Sequence, residues 1–137
     1  MVDFEAPAQD AGANEESRKT AHDGIIDGLK AEFRFVKAWD LEGLGLLVCR
    51  RMRRSEMITF TKSTNDAHKN YDQTQNPSAL TNVFETMVKT MCVWPKDTAE
   101  RDTLLKAVFD EYPLFSTTAA MAINEMAKEG VTDLGKE

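Results

Sequence analysis

The chain has 137 residues, 42% of them hydrophobic and 29% charged, with a formal net charge of −6. That length and balance fit one globular domain with a single real core, and no apolar run approaches a membrane span. An acidic chain with a single short basic cluster does not have the broad basic face of a dedicated nucleic-acid binder.

The charge is unevenly spread. Residues 1–17 hold five acids (Asp3, Glu5, Asp10, Glu15 and Glu16) and no Lys or Arg. The remaining 18 acids face 17 Lys and Arg, so the rest of the chain is close to neutral. Residues 1–19 read as an acidic flexible leader, either a docking arm or a solvated terminus, with the second favoured. They lack the basic start and apolar middle of a signal peptide. A single domain is expected over residues 20–130, followed by a tail over 131–137.

Thr20 to Phe33 reads as a helix. Thr20 and Asp23 have capping-box spacing, and Ile25, Ile26, Leu29 and Phe33 recur on one face, although Gly24 and Gly28 weaken it. Phe33, Phe35 and Trp39 then alternate with Arg34 and Ala38 as a strand. Asp40 to Gly43 supplies a turn, and Leu44 to Cys49 is a strand apolar on both faces. This β-hairpin near residues 33–50 must pack on helices or on another chain, because a lone hairpin is marginal in water.

Arg50, Arg51, Met52, Arg53 and Arg54 follow directly. Ser55 reads as an N-cap and Glu56 as a first-turn acid of a helix over 56–70 carrying Met57, Ile58 and Phe60. Tyr71 to Gln75 reads as a polar linker. Asn76-Pro77 opens the next helix, with an unbroken apolar stripe of Leu80, Val83, Phe84, Met87, Val88, Met91 and Cys92. It should stop near Val93-Trp94, before Pro95. Asp97 and Glu100 cap a further helix that turns Leu104, Leu105, Val108 and Phe109 inward and ends at Glu111-Tyr112-Pro113. A last helix carries Leu114, Phe115, Ala119, Ala122, Ile123 and Met126 to an αL stop at Gly130. The expected fold class is therefore α+β and mostly helical, a small β-hairpin packed on a bundle of about four to five helices.

Chemistry-bearing motifs are absent. There is no Gly-rich phosphate loop, Cys-x-x-Cys or His-Glu-x-x-His. His22 and His68 are far apart in sequence and read as surface residues, so no metal is expected. Cys49 and Cys92 sit in apolar patterns and read as buried free thiols, with a single disulfide less favoured. Asp110 and Glu111 are adjacent on a helix and point apart, which argues against a catalytic pair. No cofactor and no enzymatic activity are expected. The candidate partner-binding residues are Arg50, Arg51, Met52, Arg53, Arg54, Met57 and Phe60. The arginines supply charge complementarity and their apolar neighbours buried area.

The order of elements and four short segments resemble the tail assembly chaperones of long-tailed bacteriophages. The segments are Val48 to Glu56 (VCRRMRRSE), Met91 to Pro95 (MCVWP), Asp110 to Pro113 (DEYP) and Ala119 to Gly130. The resemblance covers residues 29–130, and leaves the acidic leader and the linker at Tyr71 to Gln75 unmatched. It implies binding to the tape measure protein and to tail tube or baseplate subunits in the host cytoplasm during phage assembly, with a homo-oligomer as a further option. Many members of that family are made in two lengths by translational frameshifting. Two alternatives stand beside this reading: a structural virion subunit of the tail tip, baseplate or neck, and a small nucleic-acid-binding regulator using Arg50 to Arg54.

Overall fold

A computed structural model describes residues 20–133 and Gly135. The acidic leader lies outside the described residues. Among the described residues the fold is α+β and mostly helical, with five helices and a small three-stranded antiparallel sheet. The chain divides into two compact units between Arg34 and Phe35.

The first unit contributes helix α1, residues 20–33. Ile25, Ile26, Leu29 and Phe33 fall on its less exposed side, and Leu29 is buried. Arg34 has a positive φ of 72° and donates its N–H to Lys30 O, which ends the helix and delays the strand. Strand pairing therefore starts at Val36 and leaves Phe33 in the helix.

The second unit opens with the hairpin of β1 (Val36–Leu41) and β2 (Gly45–Arg50). Leu41 pairs with Gly45, so the loop is Glu42 to Leu44, and Asp40 and Leu41 belong to the strand. Gly43 and Gly45 have φ of 81° and 119°, and these glycines supply the left-handed backbone that the turn needs. Leu46, Leu47, Val48 and Cys49 are all buried, as a strand covered on both faces requires.

A third strand, β3 (Cys92–Trp94), pairs antiparallel with the other edge of β2. Helix α3 (Ser78–Met91) accordingly ends before Val93-Trp94. Three residues are too few to show a period of two, so β3 is invisible as a pattern. It is formed because β2 otherwise presents unpaired backbone groups beside a buried core.

Helix α2 (Arg54–Thr74) is longer than the sequence indicated and absorbs most of the supposed linker. Gln75, at φ 61°, donates its N–H to Tyr71 O and stops it. Only three residues then connect α2 to α3, an αα-hairpin. Asn76 lies just before Pro77, the N-cap of α3, and its side-chain oxygen accepts from the first helical N–H, that of Ser78, at 3.0 Å. Asp97 caps α4 (Thr98–Glu111) by accepting from Glu100 N–H at 3.0 Å.

The core lies between the inner face of the sheet and helices α3, α4 and α5 (Phe115–Met126). Leu47, Cys49, Val88, Met91, Leu105, Val108, Ala119 and Ile123 meet there, and Trp39 packs edge-on against Phe115 with ring centres 5.2 Å apart. Tyr112 hydroxyl donates to Glu42 O at 2.9 Å and ties the hairpin tip to the end of α4. Leu114, placed inward by the sequence, is instead 75% exposed, because α5 starts one residue later and Phe115 takes the inward position.

Gly130 has the expected positive φ, 85°. A Cβ there would stand 2.6 Å from Cζ of Phe35. Gly130→Ala combines left-handed strain with a clash against a half-buried ring. It should lower stability by about 1–3 kcal/mol, read as a shift in urea midpoint.

Candidate partner-binding surface

The arginine cluster separates into two functionally different pairs. Arg50, the last residue of β2, faces Glu56 in the first turn of α2. Its Nη1 and Nη2 donate to Glu56 Oε1 and Oε2 at 2.8 and 2.7 Å, a bidentate pair with side chains 13% and 20% exposed. Arg50 Nη1 also donates to Arg51 O at 3.1 Å. Glu56 Oε1 accepts from Arg53 N–H at 2.8 Å, which satisfies the N-terminus of α2. Helix α2 thus begins at Arg54 after an extended Arg53, and Ser55 lies inside its first turn instead of capping it.

Hydrogen bonding to Arg50 holds the Glu56 carboxyl at about 2, below the usual carboxylate range, and raises the Arg50 guanidinium. A depressed folded-state pKa means that the unfolded chain takes up the proton first. The contribution of Glu56 to stability is therefore full above about pH 4.5 and declines as the pH falls toward about 2. Urea melts across this window should show a shallower loss of stability for Glu56→Gln than for the parent chain. At pH 7 the variant should be about 1–3 kcal/mol less stable.

Arg51 folds inward over Phe35, with its guanidinium carbon 4.0 Å from the ring centre. Its Nη1 donates to Glu129 O at 2.7 Å and to Met126 O at 3.4 Å. Met126 O is the last carbonyl of α5 and Glu129 O lies in the turn after it, so the cation sits near the negative end of the helix dipole. Met52 and Phe60, two of the expected contact residues, are each 8% exposed and belong to the core. Met52 and Phe60 thus serve the core, and Arg50 and Arg51, half-buried, are engaged in pairings that hold the fold.

Arg53, Arg54 and Met57 remain exposed. Ile58 is 52% exposed and Met57 is 41% exposed. Two cations and two apolar side chains therefore stand together on the first turns of α2. Beside them a 160 Å³ hollow runs between α2, α3 and α5, lined by Met57, Phe60, Thr64, Met87 and Asn124 among others. Further apolar exposure comes from Leu114, just before α5, and from Met121 on α5. The sequence signal for it is the uncharged run from Tyr112 to Asn124 in an otherwise highly charged chain.

His68 is exposed on α2, and no group of three or more His, Cys, Asp or Glu suited to a metal ion occurs among the described residues. No helix among them is long and apolar enough to cross a membrane. Both cysteines are unbridged and buried. Compared with known proteins, the chain matches no family model, no curated protein and no solved structure.

Proposed function

We propose that this chain is a non-enzymatic phage tail morphogenesis protein, an assembly chaperone that binds the tape measure protein and tail tube or baseplate subunits in the host cytoplasm. The observation that supports this reading is the patch of Arg53, Arg54, Met57 and Ile58 on the first turns of α2, beside an open hollow. Mixed cationic and apolar side chains on a rigid helix suit a polypeptide partner, with apolar area for affinity and charge for orientation. The resemblance in VCRRMRRSE, MCVWP and DEYP points to the same role. A nucleic-acid reading is weakened because Arg50 and Arg51 are taken up by Glu56 and by α5, leaving two adjacent arginines on offer.

The test is capture by the tagged full chain from infected-cell lysate, alongside mass spectrometry of purified particles. Capture of a long tail protein, lost on R53S/R54S/M57S/I58S, with the chain missing from particles, is the expected result. The chain at fixed copy number in particles would make it a structural virion subunit. Retained duplex DNA with a steep salt dependence would make it a nucleic-acid binder.

A further inference from the structure

Cys49 and Cys92 lie far apart in the sequence, yet β2 and β3 place them opposite each other as cross-strand partners. The register shifts beside them, between Val48 and Cys49, so they sit at an irregularity of the sheet. Both are buried and unbridged, Cys49 at 0% and Cys92 at 5% exposure. Directly opposed residues of adjacent antiparallel strands have Cα separations of about 4.5–5.5 Å, within the range that a disulfide spans.

The two thiols are not equivalent. Cys49 Sγ points to Val88 O at 3.8 Å, at the end of α3, and Cys92 Sγ lies 3.2 Å from Trp94 O. The interaction with Cys92 and burial push the Cys49 thiol up, whereas the interaction with Cys49, backbone hydrogen bonding at Trp94 and the Arg101 charge together outweigh burial and lower Cys92. Cys92 is also the more exposed of the two, and on both counts the better nucleophile.

We propose that Cys49 and Cys92 form a reversible oxidation site, a dithiol that closes to an intramolecular disulfide in the presence of a peroxide. The Cys92 thiolate attacks one peroxide oxygen. The O–O bond breaks, leaving a sulfenic acid on Cys92 and releasing hydroxide, which recovers the proton Cys92 had lost. The Cys49 sulfur then attacks the sulfenyl sulfur. The S–O bond breaks and the hydroxyl leaves with the Cys49 proton as a second water. Two thiols are oxidised and one peroxide is reduced. The bond joins the central strand to β3 and closes a covalent loop containing α2 and α3, so the element that carries Arg53, Arg54, Met57 and Ile58 becomes anchored at both ends. Closing a long loop restricts the unfolded chain, and the oxidised form melts higher than the reduced one.

The experiment treats the native full-length chain with stoichiometric hydrogen peroxide, denatures it, blocks remaining thiols with a maleimide and weighs the product. The expected result is joint loss of both thiols in a monomer lighter by two hydrogens, a single Cys49–Cys92 peptide pair after digestion, and return of both thiols on reduction. With the dimedone probe, Cys49→Ser should trap a sulfenic acid on Cys92, and Cys92→Ser should react roughly tenfold more slowly at Cys49. Thiols that stay fully alkylatable after native treatment overturn the proposal. So does oxidation that proceeds only in urea, or that links two chains. The wild-type mass measurement decides the matter even if either variant fails to fold.

Discussion

Replacing Arg50 and Arg51 together with Ser is expected to destabilise the fold by about 3–5 kcal/mol, read from urea unfolding at pH 7. Arg50→Ser leaves the Glu56 carboxylate, 20% exposed, without its bidentate partner and loosens the start of α2. Arg51→Ser exposes the Phe35 face and frees the carbonyls of Met126 and Glu129. The paired variant R53S/R54S touches only exposed side chains and should stay within about 0.5 kcal/mol of the parent. Its effect should appear in partner capture instead. A single experiment on the whole cluster would blur these outcomes, because half of it is structure and half is surface.

Leu47→Ala is expected to cost about 2–5 kcal/mol. Leu47 is fully buried on the central strand and faces the helices, so truncation leaves a cavity bounded by rigid elements that cannot collapse into it. Leu114→Ala, at a position 75% exposed, should change stability by less than about 0.5 kcal/mol. Chemical denaturation of the two variants side by side checks both values. It also separates the core beneath the central strand from an exposed apolar side chain at the α4–α5 junction.

The long-period patterns carried most of the fold. The stripe through Met87, Val88 and Met91 and the pairs at Leu105 and Val108 are buried where their helical spacing put them. Asp97 caps its helix as its spacing to Glu100 implied. What the sequence hid was short or non-local. β3 is only three residues long, and its existence depends on a strand more than forty positions away. The end of α2 was hidden for the opposite reason: Tyr71 to Thr74 bury nothing, so no apolar period marks them, and the helix persists through backbone bonding and the αL stop at Gln75. The candidate surface was half legible. Four arginines in five residues announce charge, but whether each faces solvent depends on where Glu56, Phe35 and the end of α5 arrive in space. That is why Met52 and Phe60 proved buried and Arg50 and Arg51 half-buried and paired, while Arg53, Arg54 and Met57 stayed exposed.

The separation of β3 from the hairpin it completes also has a temporal consequence. The β1–β2 hairpin and the α2–α3 pair are both built from neighbours in sequence, whereas β2–β3 pairing must close the chain around two helices. Loop closure of that length is entropically late, so the transition state for folding should contain the local elements and lack the third strand. Val93→Ala, in stopped-flow refolding, should accelerate unfolding and leave the folding rate nearly unchanged, with a φ-value near zero. Until that strand docks, the inner edge of β2 is an unpaired, fully apolar ribbon, and this brief interval is when a nascent chain is most exposed to strand exchange with its neighbours.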